Sequence, residues 1–188
     1  CTIRIDPDGS VTAATGVTDQ GQGTEAVIRQ VVAEAVGVPI DQVRVITGDT
    51  LTTPYGGGTW ACRGAGIGGE AALQSGIAVK ESALKVAGAM LQAQPEALDL
   101  VNGEIVVKET GQARMPLAEL ARIVYFRGDT LPPDLPRELM QTRHFITKQY
   151  PFAFTNGVMA CSLEVDADTG FVKLLKAWCV EDCGRVIN

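Results

Sequence analysis

The stretch Asp19-Gln-Gly-Gln-Gly-Thr-Glu25 sets a carboxamide between two glycines, where a β-like run, Val11–Val17, gives way to helical spacing from Thr24. Lacking a Cβ, Gly21 and Gly23 permit a sharp turn and bring backbone N–H groups within reach of a ligand. Gln22 adds a pair of donors and an acceptor at the helix entrance. The first N–H groups of a helix have no partners within it, so this entrance suits an anionic or strongly polar ligand. A second glycine-rich stretch, Tyr55-Gly-Gly-Gly-Thr-Trp-Ala-Cys-Arg-Gly-Ala-Gly-Ile-Gly-Gly69, opens onto the next helix. Two such openings in 188 residues imply a large, multiply charged cofactor gripped from two sides.

The other chemistry-bearing residues point less sharply. Cys1, Cys62, Cys161, Cys179 and Cys183 are odd in number and lack the spacing of a disulfide framework. Cys179 and Cys183 stand four apart without the His or Cys partners of a zinc site, so the cysteines are expected to be ordinary buried thiols. Cys62, beside Arg63, has three readings: a cofactor contact, a reactive thiol or a small buried residue. His144 lies in a strand-like run and suits a surface or hydrogen-bonded role. Asp19 suits fixing its turn, while Glu25, Asp49 and Glu70 suit helix starts and turns. No residue stands out as a catalytic acid or base.

These motifs need a scaffold, and the pattern supplies one. Strands are expected at Thr2–Asp6 and Val11–Val17, joined by Pro7-Asp8-Gly9, and at Val43–Thr47. The pairs Val27/Ile28, Val31/Val32 and Ala35/Val36 give Thr24–Val36 one broad apolar helical face, stopped by Gly37 and Pro39. Gly66 to about Leu91 reads as a long helix rich in small residues, and Pro116–Val124 as a short one. Leu100–Val107 carries the Asn-Gly hairpin signal at Asn102-Gly103. Strands follow at Gln141–Lys148, Val158–Val165 and Phe171–Val180, the last two joined by Asp166–Gly170. That strand–turn–strand echoes residues 2–17 and suggests an internal duplication. The fold class is α+β, with mixed sheets and helices packed on one face. The division expected is 1–125 with both glycine-rich loops, a Pro-rich connection over 126–140, and a β-rich portion, 141–188, truncated at its C-terminal end.

Composition narrows the function. Apolar residues make up 46% and charged residues 20%, as in an ordinary globular chain. A net charge of −6, from 22 acidic and 16 basic residues, argues against a nucleic-acid partner. No apolar run is long enough to cross a bilayer, and no basic segment precedes one, so a cytoplasmic location is expected. The chain opens on Cys1 already inside a strand pattern and stops at Asn188 without a closing element, which reads as a piece of something longer.

Taken in order, several segments resemble one known family. They are Gly16-Val-Thr-Asp-Gln-Gly-Gln-Gly23, a helix ending in Val-Gly-Val-Pro39, Val43-Arg-Val-Ile-Thr-Gly-Asp-Thr50, and Thr53-Pro-Tyr-Gly-Gly-Gly-Thr-Trp-Ala-Cys-Arg-Gly-Ala65. Glu164-Val-Asp-Ala-Asp-Thr-Gly170 and Val180-Glu-Asp-Cys-Gly-Arg-Val-Ile-Asn188 complete the set. Together they are similar to the molybdenum-binding subunit of the xanthine dehydrogenase, aldehyde oxidase and aerobic carbon monoxide dehydrogenase family, over essentially the whole chain.

The resemblance implies an oxidoreductase that inserts water-derived oxygen at an electron-poor carbon of an aldehyde or N-heterocycle. It implies molybdopterin, commonly as the cytosine dinucleotide, holding molybdenum, with no metal ligand from the chain itself. Iron–sulfur clusters and FAD would lie on partner subunits or domains. Carried over by position, Gln22 matches the family glutamine near the metal's oxo group and the pterin, and Gly21 and Gly23 match its flanking glycines. Thr59, Ala61, Cys62 and Arg63 match the stretch that holds the pterin and diphosphate end. Cys62 stands where many relatives have serine, and Gly64 where some have a second hydroxyl residue, leaving fewer side-chain donors. The family's general-base glutamate, in a Gly-Glu segment, would follow the point matching Asn188, so this chain alone is expected to be inactive. Two other readings stand beside this one: a split subunit that completes a partner's site, and a nucleotide- or phosphate-binding module without redox chemistry.

Overall fold

The computed structural model describes residues 1–148, 156–184 and 186, in two compact units, Cys1–Pro151 and Phe152–Asn188. In the first unit, β1 (Thr2–Ile5) and β2 (Val11–Ala14) form an antiparallel pair with Thr2 opposite Ala14 and Ile5 opposite Val11. Strict alternation sends Ile3, Ile5, Val11 and Ala13 into the core. The tight turn between them is fastened by Asp8, which accepts from the Ser10 N–H at 3.0 Å and its hydroxyl at 2.7 Å.

After β2 the chain runs through α1 (Thr24–Val36) and returns as β3 (Val43–Ile46), parallel to β2. The helix appears over the range its periodicity predicts, with Ile28, Val32 and Val36 fully buried. The other edge of the sheet is β4 (Met140–Thr142), antiparallel to β1. A long helix, α2 (Gly69–Leu91), packs against α1 and lies against β1 and β4, so two helices share the sheet. Their approach is close: a Cβ at Gly76 would lie 2.6 Å from that of Ala35.

Three further strands, Leu98–Val101, Glu104–Val107 and Ala113–Pro116, form an antiparallel sheet. Its first turn uses Asn102 and Gly103, both at positive φ, as an Asn-Gly turn requires. Helix α3 (Leu117–Phe126) buries Leu117, Leu120, Ala121 and Val124. Its Tyr125 hydroxyl donates to the Ile5 carbonyl at 2.9 Å and accepts from the Leu139 N–H at 3.3 Å. That bond pins the Pro-rich segment to the sheet just before β4.

Three boundaries differ from the sequence pattern. The long helix does not begin smoothly at Gly66, because Gly64–Gly68 form a π-helical turn before α2. The strand expected over 141–148 is confined to Met140–Thr142 among the described residues. The Pro-rich segment also leads directly into β4, and the division between compact units falls further on, at Pro151/Phe152.

The second unit is a hairpin of β5 (Asn156–Val165) and β6 (Val172–Asp182), with a register shift at Ser162/Leu163. Asp166 closes its turn by accepting from the N–H groups of Asp168 and Thr169, each at 2.9 Å. Its carboxyl is held below the usual range, chiefly by the Thr169 N–H.

Candidate cofactor site

Both glycine-rich loops arise at the same end of the β1–β4 sheet, one following β2 and the other following β3. They cross where Gly16 meets Gly56. A Cβ on Gly56 would lie 2.6 Å from the Gly16 Cα, and one on Gly16 would lie 2.5 Å from the Gly56 Cα. Backbone therefore rests on backbone, and no other residue type fits at either position. Thr59 locks the crossing. Its hydroxyl accepts from the Thr18 N–H at 2.7 Å and donates to the Thr18 carbonyl at 2.7 Å. The Thr47 hydroxyl donates to the Val17 carbonyl and ties the first loop to the end of β3.

Within the first loop, Asp19 fixes the turn, as its sequence position suggested. Its carboxylate accepts from the Gly21 N–H at 2.7 Å and the Glu25 N–H at 3.0 Å. These bonds, that from Glu25 first, hold its carboxyl below the usual range. The start of α1 is thus already supplied with a negative charge, which weakens its claim to be the anion site. Gln20 then orients Gln22: the Gln20 N–H donates to Gln22 Oε1 at 2.6 Å. With its oxygen engaged, the exposed Gln22 amide has its two N–H donors to offer. Gly21 and Gly23 stand at φ 102° and 82°, and a Cβ on either would meet nothing within 4 Å. Among the described residues, the space directly in front of both glycines is open.

In the second loop, Ala61 and Cys62 adopt φ of 49° and 57°, the left-handed region that non-glycine residues seldom occupy. Both side chains are exposed, and so are those of Cys161, Cys179 and Cys183, in contrast to the buried thiols expected from composition. The π-turn that follows has no side-chain cap and leads into the 23-residue α2. Among the described residues, no carboxylate bonds to the backbone at the start of the π-turn, in contrast to Asp19 at α1, although Glu70 stands in the first turn of α2.

The two loops enclose one cleft of about 430 Å³ lined by Gln20, Gln22, Thr24, Trp60, Cys62 and Ala65, among others. Among the described residues, none that lines it carries a charge. Gln22, Thr59, Ala61 and Cys62 all meet there, while Gly21 and Gly23 flank Gln22 in the turn. Arg63 is the exception. Its guanidinium stacks on Trp60 at 5.4 Å from the ring centroid and lines a different cleft, on which His144 also lies. Thr18 and Gln20, present in the motif without an assigned role, take theirs from the crossing: Thr18 bonds to Thr59, and the Gln20 N–H holds Gln22 Oε1. Among the described residues no group of three or more His, Cys, Asp or Glu is arranged to hold a metal ion, and no helix is long and apolar enough to cross a membrane.

A mainly apolar cleft, with Val27, Trp60, Ala61 and Ala65 beside the amides of Gln20 and Gln22, fits a flat heterocycle met by a few polar groups. Comparison with known proteins identifies the family. A family model described as "Molybdopterin cofactor-binding domain" matches residues 1–188. The nicotine 6-hydroxylase large subunit of Paenarthrobacter nicotinovorans is 34% identical over 187 residues, covering 100% of this chain and 23% of that protein. The putative xanthine dehydrogenase molybdenum-binding subunit of Escherichia coli is 32% identical over 188 residues, covering 99% and 24%. Quinoline 2-oxidoreductase from Pseudomonas putida superposes with a TM-score of 0.79 at 34% identity, over 100% of this chain and 23% of that one. The chain thus spans about a quarter of the length of these relatives, and it belongs to the molybdopterin cofactor-binding domain family, as found in the large subunits of xanthine dehydrogenase-like molybdenum enzymes.

Proposed function

We propose that this chain forms one wall of the molybdenum cofactor site of a molybdenum hydroxylase. The supporting observation is the convergence of the Gln22 loop and the Thr59–Ala65 loop on a single uncharged cleft. The Gln22 amide donates toward the metal end of the pterin, because its oxygen is already held by the Gln20 N–H. Gly21 and Gly23 leave room for the ring system. Ala61 and Cys62, small and exposed beside the open α2 mouth, border the diphosphate end, where backbone N–H groups and the helix field favour negative charge. Thr59 serves through the clamp it makes with Thr18, and Arg63 through its brace on Trp60.

The bound molybdenum centre would supply the two-electron oxidation of an aldehyde or N-heterocycle with water-derived oxygen. This chain's own part is to bind and orient. The general-base glutamate, the iron–sulfur clusters and the FAD belong, on this reading, to other segments or subunits, and the cytosine dinucleotide is the cofactor form. The chain alone is therefore inactive and holds the cofactor weakly. Assay of molybdenum and pterin in the purified chain tests this: stoichiometric metal with aldehyde-oxidising activity contradicts it. Tight binding of a free nucleotide without any response to molybdopterin would favour the nucleotide-binding alternative.

A further inference from the structure

Among the described residues, Trp60 is the one aromatic side chain lining the Gln22 cleft, and it is 56% exposed. Its single donor is already spent inside the loop. Nε1 donates to the Gly57 carbonyl at 3.0 Å, so what the indole presents to solvent is ring surface. The Arg63 guanidinium lies over one face of the ring, 5.4 Å from its centroid. That guanidinium in turn packs on Gly57, where an added Cβ would lie 2.6 Å from Nη1. Arg63 lines the second cleft and not this one, whereas Trp60 lines this one and not the second. The covered face of the indole therefore turns away from the Gln22 cleft, and its open face turns toward it.

A ring tethered at its nitrogen and backed by a cation needs little further ordering when a ligand arrives. Val27, Ala61 and Ala65 continue the apolar wall beside it, while Gln20 and Gln22 bring amides to the same cleft. A flat nitrogen heterocycle meets both conditions. Its π face stacks offset on the indole, and its edge takes hydrogen bonds from the amides. An inorganic anion has no face to offer the ring.

We propose that the open face of Trp60 is a stacking platform for a planar nitrogen heterocycle, which sets the tilt of that ring in the cleft. This assignment rests on the proposed function, whose cleft it occupies. The same ring chemistry is present in a pterin and in the base of a dinucleotide form of the cofactor, and the test separates the two.

The purified chain, carrying Trp178→Phe so that Trp60 is its only indole, is titrated with free pterin, with cytidine monophosphate and with released molybdopterin. The readouts are the ring-proton resonances of the first two ligands and the backbone amide of Ala61. Saturable upfield shifts of the ring protons, in step with the Ala61 amide, support the platform. Affinity should fall about tenfold in Trp60→Leu and by less in Trp60→Phe, which keeps a flat face. A response to pterin names the pterin as occupant, and one to cytidine monophosphate names the base. Absence of saturable upfield shifts with both overturns the proposal, as does unchanged affinity in Trp60→Leu. Molybdopterin then separates the two claims. If it shifts the Gln22 and Ala61 amides, the proposed function stands without the platform, and if it shifts neither, both fall. The Thr18 amide, held by Thr59, reports whether the loop crossing survives each substitution. The ring-proton shifts are read with Trp60 intact, so they decide the matter even where the leucine variant does not fold.

Discussion

The Thr59 hydroxyl spends its donor on the Thr18 carbonyl and accepts from the Thr18 N–H. Its donor is therefore committed to the clamp, and what it offers the site is the distance between the two loops. Thr59→Val should cost about 1 kcal/mol of stability, since it leaves the Thr18 N–H without its acceptor, whereas Thr59→Ser should cost less; chemical denaturation compares them. Gly56→Ala places a methyl group against the Gly16 backbone and should cost about 1–3 kcal/mol or prevent the loops from meeting, visible as a lower melting temperature. Asp19 gives a pH dependence whose sign is fixed. Its carboxyl is depressed in the folded chain, so the bonds to Gly21 and Glu25 add stability above its unfolded pKa of about 3.9 and lose it as pH falls through the lower folded value. Amide resonances of Gly21 and Glu25 should report that acid transition, and Asp19→Asn should abolish it.

At the scale of elements, α1 was legible because its apolar pairs recur every four residues and Gly37 ends it. The motifs around Gln22 and Thr59 were legible as residue types in order. Their meeting was not, because a glycine-on-glycine crossing leaves no periodic trace. The sequence also suggested two equivalent helix mouths. Asp19 breaks that equivalence by supplying charge at the start of α1, while α2 opens through a π-turn and two left-handed residues. Such turns recur at functional sites because they redirect backbone groups that a regular helix would pair internally. An anionic probe such as pyrophosphate should therefore perturb the amides of residues 61–66 more than those of residues 23–26. Equal perturbation would mean that the Asp19 carboxylate does not close the first mouth.

The whole chain joins a well-buried unit to a two-stranded ribbon. Hydrophobic burial in Cys1–Pro151 draws on all three helices and both of its sheets. The β5–β6 hairpin leaves Val158, Met159, Phe171, Val172 and Trp178 exposed. A lone hairpin is marginal in water, so hydrogen exchange in Asn156–Asp182 should be faster than in the central strands β1 and β2. The strands of that hairpin were plain from their alternation and from the Asp166–Gly170 turn. What covers them was not, since a pattern of apolar residues does not name its partner.

On the proposed function, two loops far apart in sequence make one receptacle for molybdopterin. Its most direct test is a titration of the isotopically labelled chain with released molybdopterin, following the Gln22 side-chain amide and the backbone amides of Ala61 and Cys62 together. Both sets should shift along one weak, saturable curve, and Gln22→Ala should weaken the binding for both. Shifts confined to one loop, two curves with different midpoints, or no response in either would contradict it.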